Sequence, residues 1–123
     1  MIENLNGIHE TVKYKENSNV KLFINAEAED YPIHWHTPME IIMPLEGGYT
    51  VQIGDDLVHL NESDIIFIAS GVKHRLIAPD TGKRLILQIE WSAVSKIKEL
   101  NSILTLIAVS YTHLRAHETR HDL

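Results

Sequence analysis

The chain has 123 residues, 44% of them hydrophobic, and a formal net charge of −6, which leaves room for one folded domain with one core. It has no cysteine, so disulfides, thiolate metal sites and thiol nucleophiles are excluded, and any metal must be held by nitrogen and oxygen. The acidic balance argues against a surface that grips phosphate backbones, no apolar run approaches the ~20 residues of a membrane span, and Met1 to Gly7 lacks the basic-then-apolar order of an export signal, so a cytoplasmic location is expected.

In chain order, residues 1–19 form a polar N-terminal arm, either mobile or a frayed terminus. From Val20 to Asn25, the residues Val20, Leu22 and Ile24 alternate with Lys21, Phe23 and Asn25, the period-two pattern of a strand with one buried face. Met39 to Leu45, the turn pair Gly47-Gly48, and then Tyr49 to Ile53 read as strand, turn, strand. Gly54-Asp55-Asp56 turns the chain into Leu57 to Leu60, and Asn61 to Asp64 leads into the apolar run Ile65 to Ala69. After the breaks at Ser70-Gly71 and at Pro79 to Gly82, a last strand is expected from Lys83 to Trp91. About eight short strands separated by turn residues predict an antiparallel sandwich or barrel over 20–91.

The period then changes. Val94, Ile97, Leu100, Ile103, Leu104 and Ile107 fall at steps of three and four, with Ser92 placed to cap, so an amphipathic helix is expected over 92–107. Its apolar stripe either covers one side of the barrel or forms a dimer contact. The tail, 108–123, breaks with what precedes it: Tyr111 to Thr119 resembles a translated sequencing-adapter peptide, the mark of a non-native end to a gene model. On a helix its His113, His117 and His121 would share a face, a spacing that by itself is a weak metal motif.

The chemistry is concentrated in His34-Trp35-His36-Thr37-Pro38-Met39-Glu40. On a strand, His34 and His36 project from one face and Trp35 from the other. Glu40 has the same parity as the histidines, although Pro38 can interrupt the ladder. His74 follows the turn Gly71-Val72-Lys73 and offers a fourth donor. Three imidazoles and a carboxylate suit Mn, Fe, Ni, Cu or Zn. The same groups could instead hydrogen-bond a small effector in a metal-free pocket, or satisfy one another structurally. Gln88 or Glu90 could reach the same pocket, His59 is expected at the surface, Trp35 is expected in packing or at the rim, and His9 carries no signal.

The spacing HxHxxxE, then six residues and Gly47, then GxxH ending at His74, resembles the two cupin motifs between about Ile33 and Trp91. The resemblance implies an all-β fold, the cupin double-stranded β-helix or jelly-roll barrel, here followed by one C-terminal amphipathic helix. It also implies that His34, His36, Glu40 and His74 line the interior and hold a divalent transition metal (Mn, Fe, Ni or Zn) or, with Gln88, an organic ligand. Three positions depart from the motif: Ser63 stands where Gly precedes Asp64, Ala69-Ser70 replaces Pro, and Ala78 replaces Asn. These losses, and the strand Leu87 to Trp91 running into a helix, resemble the N-terminal sensor domains of AraC-type transcription regulators. That implies a small-molecule effector such as a sugar, a homodimer, an arm that closes over the pocket, and DNA contact only through a helix-turn-helix domain missing from this chain. The alternatives are a small metal-dependent cupin enzyme of the dioxygenase, isomerase or epimerase class, and a sugar- or metabolite-binding cupin without a regulatory partner.

Overall fold

The structure, a computed structural model, describes residues 4–14, 18–27, 30–90, 92, 96–99 and 111–116. The turn residues break the chain into short strands: β1 (Leu5–Asn6), β2 (His9–Glu10), β3 (Val20–Asn25), β4 (Tyr31–His34), β5 (Met39–Glu46), β6 (Tyr49–Ile53), β7 (Asp56–Leu60), β8 (Ile65–Ile68), β9 (His74–Ile77), β10 (Lys83–Ile89) and β11 (Tyr111–Leu114). They form a five-stranded sheet, β11-β8-β5-β10-β3, a four-stranded sheet, β4-β9-β6-β7, and a separate hairpin, β1-β2. Side chains from both larger sheets meet in one core that includes Ile42, Tyr49, Val51, Leu60, Ile66 and Ile86.

Register divides the interior into layers, because alternate residues along each strand point inward. One layer is polar: Gln88 pairs with Glu40, Glu40 with Ile68, and His74 with Ile53. Two residues along, Ile86 pairs with Ile42, Ile42 with Ile66, and Leu76 with Val51, giving an apolar layer. Two further along, Arg84 lies between Pro44 and Asn25. The fully buried Arg84 donates to Asn25 Oδ1 at 2.6 Å and to the Glu27 carbonyl at 3.0 Å, and its guanidinium lies 4.3 Å from the Tyr49 ring centroid.

One strand faces opposite to what its apolar set suggests. Val20, Leu22 and Ile24 are outward and largely exposed, whereas Asn25 is buried and Phe23 packs on the core. Alternation shows that a strand has two unlike faces, but not which faces in; here the inner side of β3 borders a polar cavity, and its register with β10 puts Lys21 opposite Gln88.

The departure at Ser63 has a structural consequence. Its φ is +68°, the left-handed region that costs a residue with Cβ on the order of 1 kcal/mol. The Asn61–Asp64 turn needs that conformation, since Asp64 N–H donates to the Asn61 carbonyl and the Asp64 carboxylate accepts from Asn61 N–H. Ser63→Gly is therefore expected to raise stability by about 0.5–1 kcal/mol, read from urea midpoints at unchanged slope.

The helix expected over 92–107 lies for the most part outside the described residues, and no helix is among the elements described. Of the described residues, no helix is long and apolar enough to cross a membrane. Tyr111–Leu114 forms a strand paired with β8, so the shared helical face for His113, His117 and His121 does not arise there. His113 Nε2 instead lies 3.2 Å from Asp64 Oδ2; His117, Glu118 and His121 are outside the described residues.

Candidate metal centre

The polar layer is where the expected donors meet. His34 ends β4, His74 opens β9 directly opposite it, Glu40 is the second residue of β5, and His36 lies in the loop between β4 and β5. Pro32 is tolerated because β4 is an edge strand, which can spare a donor. Local chain geometry then orients each imidazole. Nδ1 of His34 donates to the Pro32 carbonyl, Nδ1 of His36 to the Pro38 carbonyl, and Nδ1 of His74 to the Val72 carbonyl, each at 2.8 Å. A carbonyl can only accept, so all three Nδ1 atoms carry protons and each neutral ring keeps its lone pair on Nε2. Metal-binding histidines are oriented in this way by their outer hydrogen bonds.

One donor atom from each of His34, His36 and His74 lies within 4.8 Å of the other two, and all three side chains are buried. Glu40 completes the set: its Oε1 is 3.6 Å from His36 Nε2 and its Oε2 is 3.1 Å from His74 Nε2. Gln88, 4% exposed, donates Nε2 to Glu40 Oε1 at 3.0 Å and fixes the carboxylate. All five residues singled out in the sequence are thus brought together.

The electrostatics fit a site built around positive charge. Burial and the neighbouring His74 push His34 down to about 4, so it is neutral. Burial also opposes charge on His36, but contact with Glu40 outweighs it and raises His36 to about 9. Glu40 is fully buried, which alone would favour its acid form, yet His36 and His74 hold its carboxyl well below the usual range. Among the described residues, His36 Nε2, Glu40 Oε2 and His74 Nε2 are buried without a hydrogen-bond partner; the 3.1 Å His74–Glu40 approach falls outside hydrogen-bond geometry. Their only close contacts there are the ion-pair approaches to one another, and a divalent cation among them would satisfy all three. The residues fit such an ion.

Three residues were not signalled by the sequence. Glu10 reaches His34 Nε2 at 3.6 Å from the β1-β2 hairpin, while Asn25 and Tyr31 bond to each other on the cavity wall. The cavity, about 380 Å³, runs from His34, Glu40 and Gln88 between β3 and residues Glu10 to Lys13. His9 stacks on Trp35, with ring centroids 4.1 Å apart, and Trp35 packs at the rim as expected. His59 is exposed, with Nδ1 3.1 Å from Thr50 Oγ1. Glu90 is outside the cavity lining and accepts from Tyr14 and Thr37.

A two-sheet barrel with three convergent imidazoles and a carboxylate in one inner layer defines the class, and comparison supplies the family. Residues 22–89, more than half of the chain, match the cupin domain family, and the chain belongs to it. It is 34% identical over 55 residues to a protein of Bacillus subtilis (strain 168) described as an uncharacterized HTH-type transcriptional regulator, YdeC; the match covers 44% of this chain and 19% of that regulator's length. Among solved structures, it resembles a cupin-2 domain protein of Shewanella frigidimarina at 19% identity, covering 62% of this chain and 76% of that one with a TM-score of 0.54. It also resembles oxalate decarboxylase of Bacillus subtilis at 21% identity, covering 62% of this chain and 22% of that one with a TM-score of 0.54. The structural likenesses bear on the fold.

Proposed function

We propose that the chain is the effector-sensing part of an AraC-type transcription regulator, acting in the cytoplasm as a homodimer and contacting DNA only through a helix-turn-helix domain outside this chain. One observation carries the sensing role: a polar cavity reaches the buried imidazole cluster and is bounded on its other side by N-terminal residues, so that a small polar molecule such as a sugar would touch barrel and arm together. The partial match to an HTH-type regulator supports the regulatory setting. A ligand acts on such a module through its differential affinity for two arrangements of it.

In this reading His34, His36, Glu40 and His74 hold a divalent transition metal (Mn, Fe, Ni or Zn), which supplies Lewis-acid attraction for a ligand oxygen. Gln88 orients Glu40, and the three backbone carbonyls orient the imidazoles. Below about pH 9 the ion must displace the proton that Glu40 favours on His36. Metal affinity is therefore expected to rise with pH from about 6 to 9, by up to about tenfold per unit, and then to level off. Titrations in buffers of different ionisation enthalpy would show the released proton.

The same imidazole set favours a second reading, a metal-dependent enzyme of the dioxygenase, isomerase or epimerase class. A thermal-shift screen of sugars and other small polar metabolites, with and without metal, separates the two. A compound that raises the midpoint and is recovered unchanged supports the sensor. Recovery of a converted product supports the enzyme, and a screen in which no compound binds contradicts both.

A further inference from the structure

We propose that Glu10, carried on the N-terminal hairpin, is a further anionic donor of the metal centre, so that the arm completes a centre the barrel only partly builds. This rests on the metal reading above and adds to it a residue on a different element.

Backbone parity aims the side chain. Glu10 N–H donates to the Trp35 carbonyl at 2.9 Å and Trp35 N–H donates to the Ile8 carbonyl at 2.8 Å. His9 and Trp35 stack nearly parallel, 15° apart, on the outer side. Alternation then turns Glu10 to the opposite side, the one to which His34 and His36 point. The Glu10–Lys13 end of the arm is tied back to its start, since Thr11 N–H donates to the Asn4 carbonyl at 3.1 Å, so the carboxylate is carried by a closed hairpin.

What it meets there is an acceptor. His34 Nδ1 gives its proton to Pro32, so Nε2 presents a lone pair to Glu10 Oε1 at 3.6 Å. Two lone pairs held face to face repel unless a proton or a metal ion lies between them. Glu40 flanks His36 and His74 but is not close to His34 in the same way; Glu10 gives the third imidazole its carboxylate. A pair of carboxylates balances the charge of a divalent ion and shifts preference toward metals that favour oxygen ligands, such as Mn²⁺. If Glu10 is a donor, metal and arm docking stabilise each other by the same factor, as linkage requires.

The test uses the full chain, with Mn²⁺ as the probe and three proteins: wild type, Glu10→Gln and His74→Ala. Calorimetric titration is expected to show Mn²⁺ affinity reduced about tenfold in Glu10→Gln, whose amide oxygen can still approach the ion but without the charge, and about a hundredfold or more in His74→Ala. Hydrogen exchange is expected to show that Mn²⁺ slows the Glu10 and Trp35 amides in wild type but not in Glu10→Gln. Circular dichroism of metal-free Glu10→Gln, an isosteric change at the rim, is expected to match wild type. Equal affinity in wild type and Glu10→Gln, or equal protection of the two amides, would overturn the role of Glu10 while leaving the barrel centre standing. A wild type that binds no Mn²⁺, Fe²⁺, Ni²⁺ or Zn²⁺ would remove the metal reading itself, and this inference with it.

Discussion

His74→Ala is expected to lower affinity for Mn²⁺ or Zn²⁺ by about a hundredfold or more, while the metal-free protein remains folded. Changes that only disturb the support of a ligand cost about 10–100-fold, and this one removes a ligand outright. The metal-free fold is expected to lose about 2 kcal/mol, because the substitution leaves a small cavity, breaks the Nδ1 bond to the Val72 carbonyl and takes from buried Glu40 one of the two imidazoles that hold its charge. Thermal scans separate the two effects. At a metal concentration of about a hundred times Kd, wild type should gain about 2.7 kcal/mol, on the order of a 10 °C rise for a chain of this size. His74→Ala should show almost none. A full metal-induced rise in the variant would mean that the ion binds elsewhere.

Arg84→Ala is expected to cost about 3 kcal/mol of stability. Arg84 is 1% exposed; its guanidinium is held by Asn25 and the Glu27 carbonyl and lies over Tyr49. Truncation opens a cavity and at once takes the charged donor from buried Asn25 Oδ1, which keeps only its bond from Glu27 N–H, and from the Glu27 carbonyl. Arg84→Met, which refills the volume without the donor, should recover part of the loss. Lysine should not restore it fully, since it lacks the planar fork that bonds and stacks together. Urea midpoints read all three variants; an Arg84→Ala protein as stable as wild type would show that this layer does not support the barrel.

The succession of strands from β5 to β8 and the donor set were legible because both are local signals. Gly47-Gly48, Gly54 to Asp56 and Asn61 to Asp64 each announce a turn, and HxHxxxE carries three donors in seven residues, although the strand expected to hold them together breaks after His34 and they meet across the two sheets. Gln88 was legible as a candidate, but its bond to Glu40 depends on the β10–β5 register, which sequence alone does not set. The orientation of β3 was not legible, because its inner face borders a polar cavity and so inverts the usual burial rule. Glu10 was invisible for a different reason: its role depends on a hairpin docking against Trp35, a contact between segments whose spacing forms no motif. The Ser63 departure, by contrast, was visible in sequence, and the structure gives it a physical meaning, since the family's glycine is replaced at a position that keeps a left-handed backbone.

The measurement that bears most directly on the metal centre is equilibrium dialysis of the wild-type chain against Mn²⁺, Fe²⁺, Ni²⁺ and Zn²⁺ in turn, with bound metal counted by elemental analysis. Convergence of His34, His36, Glu40 and His74 leads us to expect about one ion per chain for at least one of the four, and none in a His34→Ala, His36→Ala double variant. Wild type that retains no stoichiometric ion, with an unchanged thermal midpoint in each metal, would contradict it.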